Sequence, residues 1–394
     1  MPPESDADLP QAGEARVSSR VMIVAGEASG DLHGSYLVRA MKEMDPSLSF
    51  YGIGGEKMEK EGVRLLANSS DLAVMGLIEV FSRLNFILGA MNKLKKSFET
   101  ERPDLVILID YPGFNLSLAK VAKKKGIKVF YYISPKVWAW RKGRIKTIRR
   151  VVDRMALILP FEEDLYRKAG VRATFVGHPL LDEIKITKTA EEIRRDLGLD
   201  ADKRTVALLP GSRESEVREL LPEMVRAAKI LTDRFASSIQ FVLPVAHTLV
   251  PELIQGIVGP SGIPVRLVAG RTYETLSVSD AVIVASGTAT LETALLVKPM
   301  VIVYKVSPLT FFLGKMVVRV KHIGLANIIA GRTVVPELIQ KDFTAERVAN
   351  EANRILTDPN VRDRMMKDLS ELRQSLGEPG ASRRAARLAC DMLT

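Results

Sequence analysis

The strongest constraint on the fold is a regular alternation of short, continuously apolar runs with amphipathic helical stretches. The helical stretches include GSYLVRAMKEM (34–44) and NLSLAKVAKKKG (115–126). Strands that are apolar on both faces and separated by helices indicate a parallel sheet covered on both sides. In the first half, the runs predicted to be strands are RVMIVAG (20–26), SFYGIG (49–54), LVILID (105–110), KVFYYIS (128–134), MALILP (155–160) and ATFVGH (173–178).

The same pattern restarts after a polar, charged connection, residues 183–204. A chain of 394 residues is long for one domain, since domains average roughly 150 residues. The predicted strands of the second half are TVALLPG (205–211), IQFVLPVA (239–246), PVRLVAG (264–270), AVIVASG (281–287) and PMVIVYK (299–305). We therefore predict two doubly wound, Rossmann-like α/β domains that face a cleft.

The domain boundaries follow from these patterns. We predict a flexible leader over residues 1–19, a first domain over 20–184, a second over 185–345, and C-terminal helices over 346–394 that pack across both domains. The leader has neither the basic start nor the apolar core of a secretory signal. Cys390, the only cysteine, cannot form an intrachain disulfide, so we expect a cytoplasmic protein. One cysteine and four scattered histidines give no metal-ligand spacing, and we expect no bound metal.

The charge balance favours anionic partners. The formal net charge is +10, and residues 136–150, KVWAWRKGRIKTIRR, hold seven basic residues and no acid. Such a segment fits nucleic acid, acidic lipid or a phosphorylated substrate, and it equally fits an ordinary solvated helix face. Aromatic residues are only 6% of the chain and no RNA-binding signature is present, so RNA binding is a remote alternative.

One carboxylate and three glycine-containing turns lie where a parallel sheet binds ligands. Asp110 ends the run LVILID, and it fits a catalytic residue or a cap of the helix that begins near Asn115. The turns are GEASGD (26–31), GSRESE (211–216) and SGTATLE (286–292). Backbone N–H groups at such helix starts favour anions, and Arg213 adds a cation. None of these turns matches the dinucleotide, Walker or hydrolase motifs. We predict that the second domain holds a nucleotide diphosphate, with Glu292 placed to bind a ribose diol.

An apolar stretch, residues 72–91, is too polar to span a membrane. It contains 14 apolar side chains among 20 residues, but Glu79, Arg83 and Asn85 interrupt it. A buried helix pair is one interpretation. A surface that enters the headgroup region is the other, because Lys93, Lys95 and Lys96 follow directly. On the second interpretation the residues in contact with lipid or acyl chains are Val74, Met75, Leu77, Ile78, Val80 and Phe81.

Eight segments together resemble the lipid-A-disaccharide synthase family. They are GEASGD, LAVMGLIEV, IDYPGFN, YYISPKVWAWR, LPFEEDLY, GHPLLD, LLPGSRESEV and ASGTATLE, in order from about residue 21 to 340. The resemblance implies a GT-B glycosyltransferase that needs no metal or other cofactor and inverts the anomeric configuration. It implies transfer of 2,3-diacylglucosamine from its UDP conjugate to the 6-hydroxyl of 2,3-diacylglucosamine 1-phosphate (lipid X), at the cytoplasmic face of the inner membrane. It implies no nucleic-acid partner and leaves a homodimer open.

The resemblance also implies roles for particular residues. Asp110 is the base, and Arg213 contacts the diphosphate. The full donor set is Gly211, Ser212, Arg213, Ser286, Gly287, Thr288, Glu292 and Asn327. The acceptor set is Glu27, Ser29, Gly30 and Asp31. Where relatives often carry a second acid, this chain has Gly113, so Asp110 acts without it. The residues before Asn327 also depart from the family pattern.

A UDP-N-acetylglucosamine 2-epimerase is the nearest alternative enzyme, since it shares this architecture and this type of donor. Such an enzyme needs no acyl-binding surface, so activity on an unacylated sugar nucleotide distinguishes the two.

Overall fold

The computed structural model describes residues 19–72, 77–139, 143–307 and 321–394. Within them, two all-parallel sheets are covered by helices. The strands of the first sheet are β1 Arg20–Ala25, β2 Ser49–Gly54, β3 Val63–Asn68, β4 Leu105–Ile109, β5 Lys128–Tyr132, β6 Arg154–Leu157 and β7 Ala173–Phe175. Their order across the sheet is β3-β2-β1-β4-β5-β6-β7. The strand order changes direction between β1 and β4, which pair from Val21–Leu105 to Ala25–Ile109.

The second sheet repeats this topology with six strands. They are β8 Arg204–Leu209, β9 Ile239–Val245, β10 Val265–Ala269, β11 Ala281–Ala285, β12 Met300–Tyr304 and β13 Glu337–Ile339. The order is β10-β9-β8-β11-β12-β13, so the direction changes between β8 and β11. In open α/β sheets, ligands bind beyond the carboxyl ends of the strands at such a point. Two doubly wound α/β sheets are thus confirmed.

The helices follow the strands as the sequence pattern predicts. Those associated with the first sheet are α1 Ala28–Met44, α2 Glu56–Lys60, α3 Ser69–Leu72, α4 Leu77–Thr100, α5 Pro112–Lys124, α6 Arg144–Val151, α7 Pro160–Lys168 and α8 Leu180–Glu183. Those associated with the second are α9 Ala190–Leu197, α10 Glu214–Phe235, α11 Pro251–Val258, α12 Thr272–Ser277, α13 Thr288–Leu295 and α14 Leu325–Ala330. The chain continues with α15 Ala345–Thr357, α16 Pro359–Ser375 and α17 Ala381–Cys390. No helix in the described ranges combines the length and apolarity needed to cross a membrane.

The central strands of both sheets are buried along their length. Every residue of β4 and of β11 is buried, because helices cover both faces of each sheet. The core of the second sheet extends to α15 and α16 through residues such as Val348, Leu369 and Leu372. Burial of these aliphatic side chains contributes most of the folding free energy, at roughly 25 cal/mol per Å² of apolar surface.

The chain divides into two compact units. Unit 1 comprises the described residues up to Tyr132 together with Val151–Arg154 and Ala385–Thr394. Unit 2 comprises the described residues of Ile133–Arg150 and Met155–Arg384. The last residues are bound to unit 1: Lys128 Nζ donates to the Met392 carbonyl at 2.5 Å, and Arg154 pairs with Asp391 at 3.3 Å. The boundary near residue 185 and the cleft stay predictions.

Candidate functional site

In unit 1, the turn after β4 has an unusual backbone. Asp110 and Tyr111 both have φ of +43°, a left-handed conformation that costs energy for residues other than glycine. Three hydrogen bonds hold the Asp110 peptide groups. Its N–H donates to the Tyr132 carbonyl at 3.1 Å, and its carbonyl accepts from the hydroxyl of Tyr131 and from Asn115 Nδ2. Strain that the surroundings impose in this way is typical of functional sites.

The structure argues against Asp110 as a helix cap. Helix α5 begins at Pro112, and its N-cap residue is Tyr111, so Asp110 lies one position too early. The side chain of Asp110 is partly exposed at the carboxyl edge of the sheet. A carboxylate there can accept a proton from a bound hydroxyl.

The turn after β1 lies directly against the turn after β4. Gly26 packs under the ring of Tyr111, where a Cβ would overlap that ring, so the position requires glycine. The Tyr111 hydroxyl donates to the Leu72 carbonyl at 2.9 Å. Burial raises the pKa of Tyr111, and the negative charge of Glu27 raises it further. The two turns of unit 1 are thus brought together at the point where the strand order reverses.

The predicted acceptor residues have different surroundings. Glu27 and Ser29 are exposed, with Glu27 at the N-cap position of α1, and Gly30 is buried against Ala25. Asp31 is buried, and its carboxylate accepts hydrogen bonds from the backbone N–H groups of Gly55 at 2.7 Å and Met58 at 3.1 Å. These bonds give Asp31 a structural role at the start of α2. The sequence did not indicate it, because the partners lie more than 20 residues away.

Four of the six predicted acyl-contact residues lie at the start of α4. Val74 and Met75 are outside the described residues; Leu77, Ile78, Val80 and Phe81 belong to α4. Further along α4, Phe86 and Leu88 are 45% and 51% exposed, unusually so for large apolar side chains. The lysines at 93, 95 and 96 are exposed as well.

In unit 2, the turn after β8 offers groups that bind anions. Gly211 has φ of +113°, which only glycine adopts without strain, and α10 begins just beyond it at Glu214. Arg213 is the N-cap residue of α10, and its side chain is 55% exposed. The Thr248 hydroxyl donates to the Ser212 carbonyl at 2.5 Å and fixes the turn from the β9 side.

The turn after β11 lies beside it, because β8 and β11 are paired up to Leu209 and Val284. Ser286 Oγ donates to the Ile323 carbonyl at 3.1 Å, and α13 begins at Thr288 just after Gly287. The N-termini of α10 and α13 therefore lie at one edge of one sheet, and each carries the partial positive charge of a helix start.

Glu292 is held by a tyrosine that sequence reasoning missed. The Tyr273 hydroxyl, on α12, donates to Glu292 Oε1 at 3.1 Å. Burial raises the pKa of Glu292, and the Tyr273 hydrogen bond partly opposes that rise. Tyr273 lies 19 residues before Glu292, so no local pattern could have paired them.

Asn327 is completely buried, and its side-chain amide makes hydrogen bonds with residues 334–337. Its Oδ1 accepts from the N–H groups of Val334 and Val335, and its Nδ2 donates to the Val335 carbonyl and to Glu337 Oε1 at 2.8 Å. Glu337 also accepts from the N–H groups of Ile323 and Gly324. Asn327 therefore stabilises the segment whose Ile323 carbonyl accepts from Ser286.

Another buried cluster links two of the recognised motifs in unit 2. Glu162 Oε1 accepts from the Ser134 hydroxyl at 2.9 Å and from Trp138 Nε1 at 3.0 Å, and the Tyr166 hydroxyl lies 3.0 Å from Ser134 Oγ. Ile133, just before, has φ of +64°, which is rare for a β-branched residue. The cluster fixes the start of the basic segment, residues 136–150. The sequence pattern did not reveal it, because its members lie up to 32 residues apart in the chain.

Comparison with known proteins matches the sequence of this chain to one family. A family profile described as lipid-A-disaccharide synthetase matches residues 21–391. The chain is 55% identical over 377 residues to a lipid-A-disaccharide synthase of Syntrophus aciditrophicus, covering 95% of this chain and 98% of that protein. It is 49% identical over 376 residues to the Geobacter sulfurreducens lipid-A-disaccharide synthase, with the same coverage.

Solved structures with the same architecture are more distant. The UDP-GlcNAc 2-epimerase of Neisseria meningitidis bound to UDP-GlcNAc has a TM-score of 0.65 at 12% identity, covering 94% of this chain and all of that one. The glycotransferase of kitacinnamycin has a TM-score of 0.63 at 15% identity, covering 96% and 100%. At such identities these likenesses concern the fold alone, and they confirm the GT-B type of architecture.

Proposed function

Because the chain belongs to the lipid-A-disaccharide synthase family and is a glycosyltransferase, we propose the specific reaction that it catalyses. It transfers 2,3-diacylglucosamine from the UDP conjugate to the 6-hydroxyl of 2,3-diacylglucosamine 1-phosphate, and the products are the β-1,6-linked disaccharide 1-phosphate and UDP. The observation that carries this proposal is the family match over residues 21–391. The basic net charge suits a donor and an acceptor that are both anionic.

In this proposal the donor binds to unit 2. The N–H groups of the turns Gly211–Arg213 and Ser286–Thr288 bind the diphosphate, and the Arg213 guanidinium neutralises part of its charge. The Glu292 carboxylate accepts hydrogen bonds from the ribose hydroxyls, with Tyr273 orienting it. Asn327 contributes indirectly, by holding the segment that contacts Ser286. We assign no metal to the reaction, because these groups would stabilise the negative charge that develops on the departing UDP.

The acceptor binds beside the strained turn of unit 1. Asp110 takes the proton of the attacking hydroxyl as the new glycosidic bond forms. The exposed Glu27 and Ser29 at the neighbouring turn are placed to orient the sugar. Gly30 and Asp31 support that turn from within unit 1. Positioning of the two sugars supplies much of the remaining acceleration.

We also propose that α4 contacts the cytoplasmic face of the inner membrane. Exposed Phe86 and Leu88 would enter the headgroup region, and the exposed lysines at 93, 95 and 96 would interact with anionic lipid. A homodimer that covers the same apolar residues is the competing explanation.

Vesicle sedimentation distinguishes these explanations. We expect the double variant Phe86→Ser/Leu88→Ser to bind anionic vesicles roughly tenfold more weakly than the parent, since two apolar side chains no longer enter the lipid. Val250→Ser is the matched control, because Val250 is 61% exposed in a different unit. Unchanged vesicle binding by the double variant, together with a loss of dimer in sedimentation velocity, would favour the homodimer.

The reaction itself is tested by incubating the purified chain with the diacyl UDP-sugar and 2,3-diacylglucosamine 1-phosphate. We expect equimolar disaccharide 1-phosphate and UDP. The control reaction contains unacylated UDP-N-acetylglucosamine alone, and we expect no epimerised sugar from it. Epimerised sugar without disaccharide formation would replace the proposal with the epimerase alternative.

A further inference from the structure

The turn after β8 in unit 2 is followed by a carboxylate to which neither the resemblance nor the proposed mechanism gives a role. Glu216 lies in the first turn of α10, and its side chain folds back over the residues before the helix. Its Oε2 accepts from the N–H of Ser212 at 3.1 Å, and its Oε1 accepts from Arg213 Nη1 at 3.1 Å. Glu216 also packs on Gly211 so closely that a Cβ there would collide with the carboxylate.

The neighbouring acids of α10 do not share this arrangement. Glu214 pairs with Arg218 one turn along the helix, and Glu219 pairs with Lys305 at 2.8 Å. Glu214 is 64% exposed, whereas Glu216 is 25% exposed. Among these three acids, only Glu216 accepts hydrogen bonds from the turn Gly211–Arg213.

The groups that Glu216 binds are those that a diphosphate requires. A backbone N–H makes one strong hydrogen bond, so the Ser212 N–H cannot serve the carboxylate and a phosphate oxygen fully at once. The carboxylate also repels a second anion placed at the same helix start, and it neutralises part of the Arg213 charge. A bound diphosphate must therefore either displace the Glu216 carboxylate or bind despite its electrostatic repulsion.

We propose that Glu216 competes with the diphosphate for the donor turn and so limits the affinity for the UDP conjugate and for the product UDP. The inference rests on the proposed function, because it presumes that a nucleoside diphosphate binds at this turn. The other proposed donor residues strengthen the binding of the diphosphate, whereas Glu216 weakens it. Weaker binding of UDP allows the product to leave after transfer.

Calorimetric titration of the full chain with UDP and with uridine tests this inference. We expect Glu216→Gln to lower the Kd for UDP by roughly threefold to tenfold, the range expected when one charged hydrogen-bond competitor is removed. Uridine lacks the diphosphate, so its Kd should change less than about twofold. Glu214→Gln, which removes the same charge from the same helix turn, should leave both constants unchanged.

Glu216→Ala provides a second variant, and circular dichroism establishes that each variant is folded. If Glu216 only caps the helix, its variants will lower the melting temperature without tightening UDP binding, and the inference is wrong. Equal changes for UDP and uridine, or weaker UDP binding, also refute it. If the parent chain and all variants fail to bind UDP, both this inference and the proposed donor site are wrong. UDP binding that is equal in parent and variants refutes this inference alone.

Discussion

The two sheets have the same strand order at their centre but carry opposite kinds of residues at the point where that order reverses. In unit 1 the turns present carboxylates, Glu27 and Asp110, on a backbone strained at two non-glycine residues. In unit 2 the turns present N–H groups, hydroxyls and the exposed Arg213, with the Glu216 carboxylate folded onto Ser212 and Arg213, and Gly211 adopts its left-handed φ without strain. One topology therefore carries two different sets of residues, which in the proposed function are a base in unit 1 and an anion site in unit 2. The residues of the turns decide which chemistry a unit has.

The largest expected effect concerns the proposed base of unit 1, Asp110. Asp110→Asn keeps the size of the side chain but removes its ability to take a proton, so kcat should fall by about 10² to 10⁴-fold with little change in UDP affinity. Asp104→Asn is the matched control. Asp104 lies at the opposite end of the same strand, where its carboxylate accepts a hydrogen bond from the Arg20 N–H at 2.8 Å. Near-normal turnover by a folded Asp110→Asn variant would remove the chemical contrast between the units.

The next effect tests the backbone contrast. Gly211→Ala should lower the free energy of unfolding by about 2 kcal/mol, because alanine is strained at φ of +113° and its Cβ collides with Glu216. Gly113→Ala, in the first turn of α5 in unit 1, should raise the free energy of unfolding by up to about 1 kcal/mol, because it lies in a helix with open space around its Cβ. Urea denaturation measures both changes in the free energy of unfolding, and two changes of the same sign would contradict the contrast between the two glycines.

Removing the cation of unit 2 should have a moderate effect on binding. Arg213→Ala should raise the Kd for UDP by about tenfold, with kcat changing less, because in the proposed site the exposed guanidinium contacts the diphosphate of both substrate and product. Arg218→Ala is the control on the same helix, since Arg218 pairs with Glu214. Unchanged UDP affinity in Arg213→Ala would mean that the diphosphate does not bind at this turn.

The smallest expected effect concerns pH. Burial raises the pKa of Glu292 above its usual 4.5, so falling pH should protonate this carboxyl earlier than an ordinary glutamate. The protonated form loses an acceptor for the ribose hydroxyls. The advantage of the parent over Glu292→Gln in UDP affinity, roughly threefold at neutral pH, should therefore disappear as pH falls through that raised pKa. The ratio of the two Kd values removes the titration of UDP itself, and a pH-independent ratio would contradict the ribose assignment.

Sequence reasoning predicted the central strands and missed two strands at sheet edges. The runs that became β1, β4, β8 and β11 are continuously apolar because both faces are buried. The strand β3 reads VRLLAN and only its first residue is fully buried, and β13 has three residues, so neither gives a clear apolar run. Both strands lie at an edge of their sheet.

The sequence shows which proposed site residues lie in turns after strands, but it does not show the contacts that these residues make with distant parts of the chain. Asp110, Gly211 and Arg213 follow strands, and that position is visible in the sequence. The partners of Asp31, Glu162, Glu292 and Asn327 were not visible, because only the fold brings them together. Glu216 was within reach, since an acid three residues after an N-cap is a known pattern at helix starts.

The path of the chain through the two units has a consequence for synthesis. Residues 385–394 belong to unit 1, yet they follow all of unit 2 in the chain, and they bind unit 1 through Lys128 and Arg154. They emerge from the ribosome only after more than 200 residues of the other unit, whereas β1 to β5 emerge before it. We therefore expect unit 1, although most of it is synthesised first, to remain unfinished until residues 385–394 have left the ribosome.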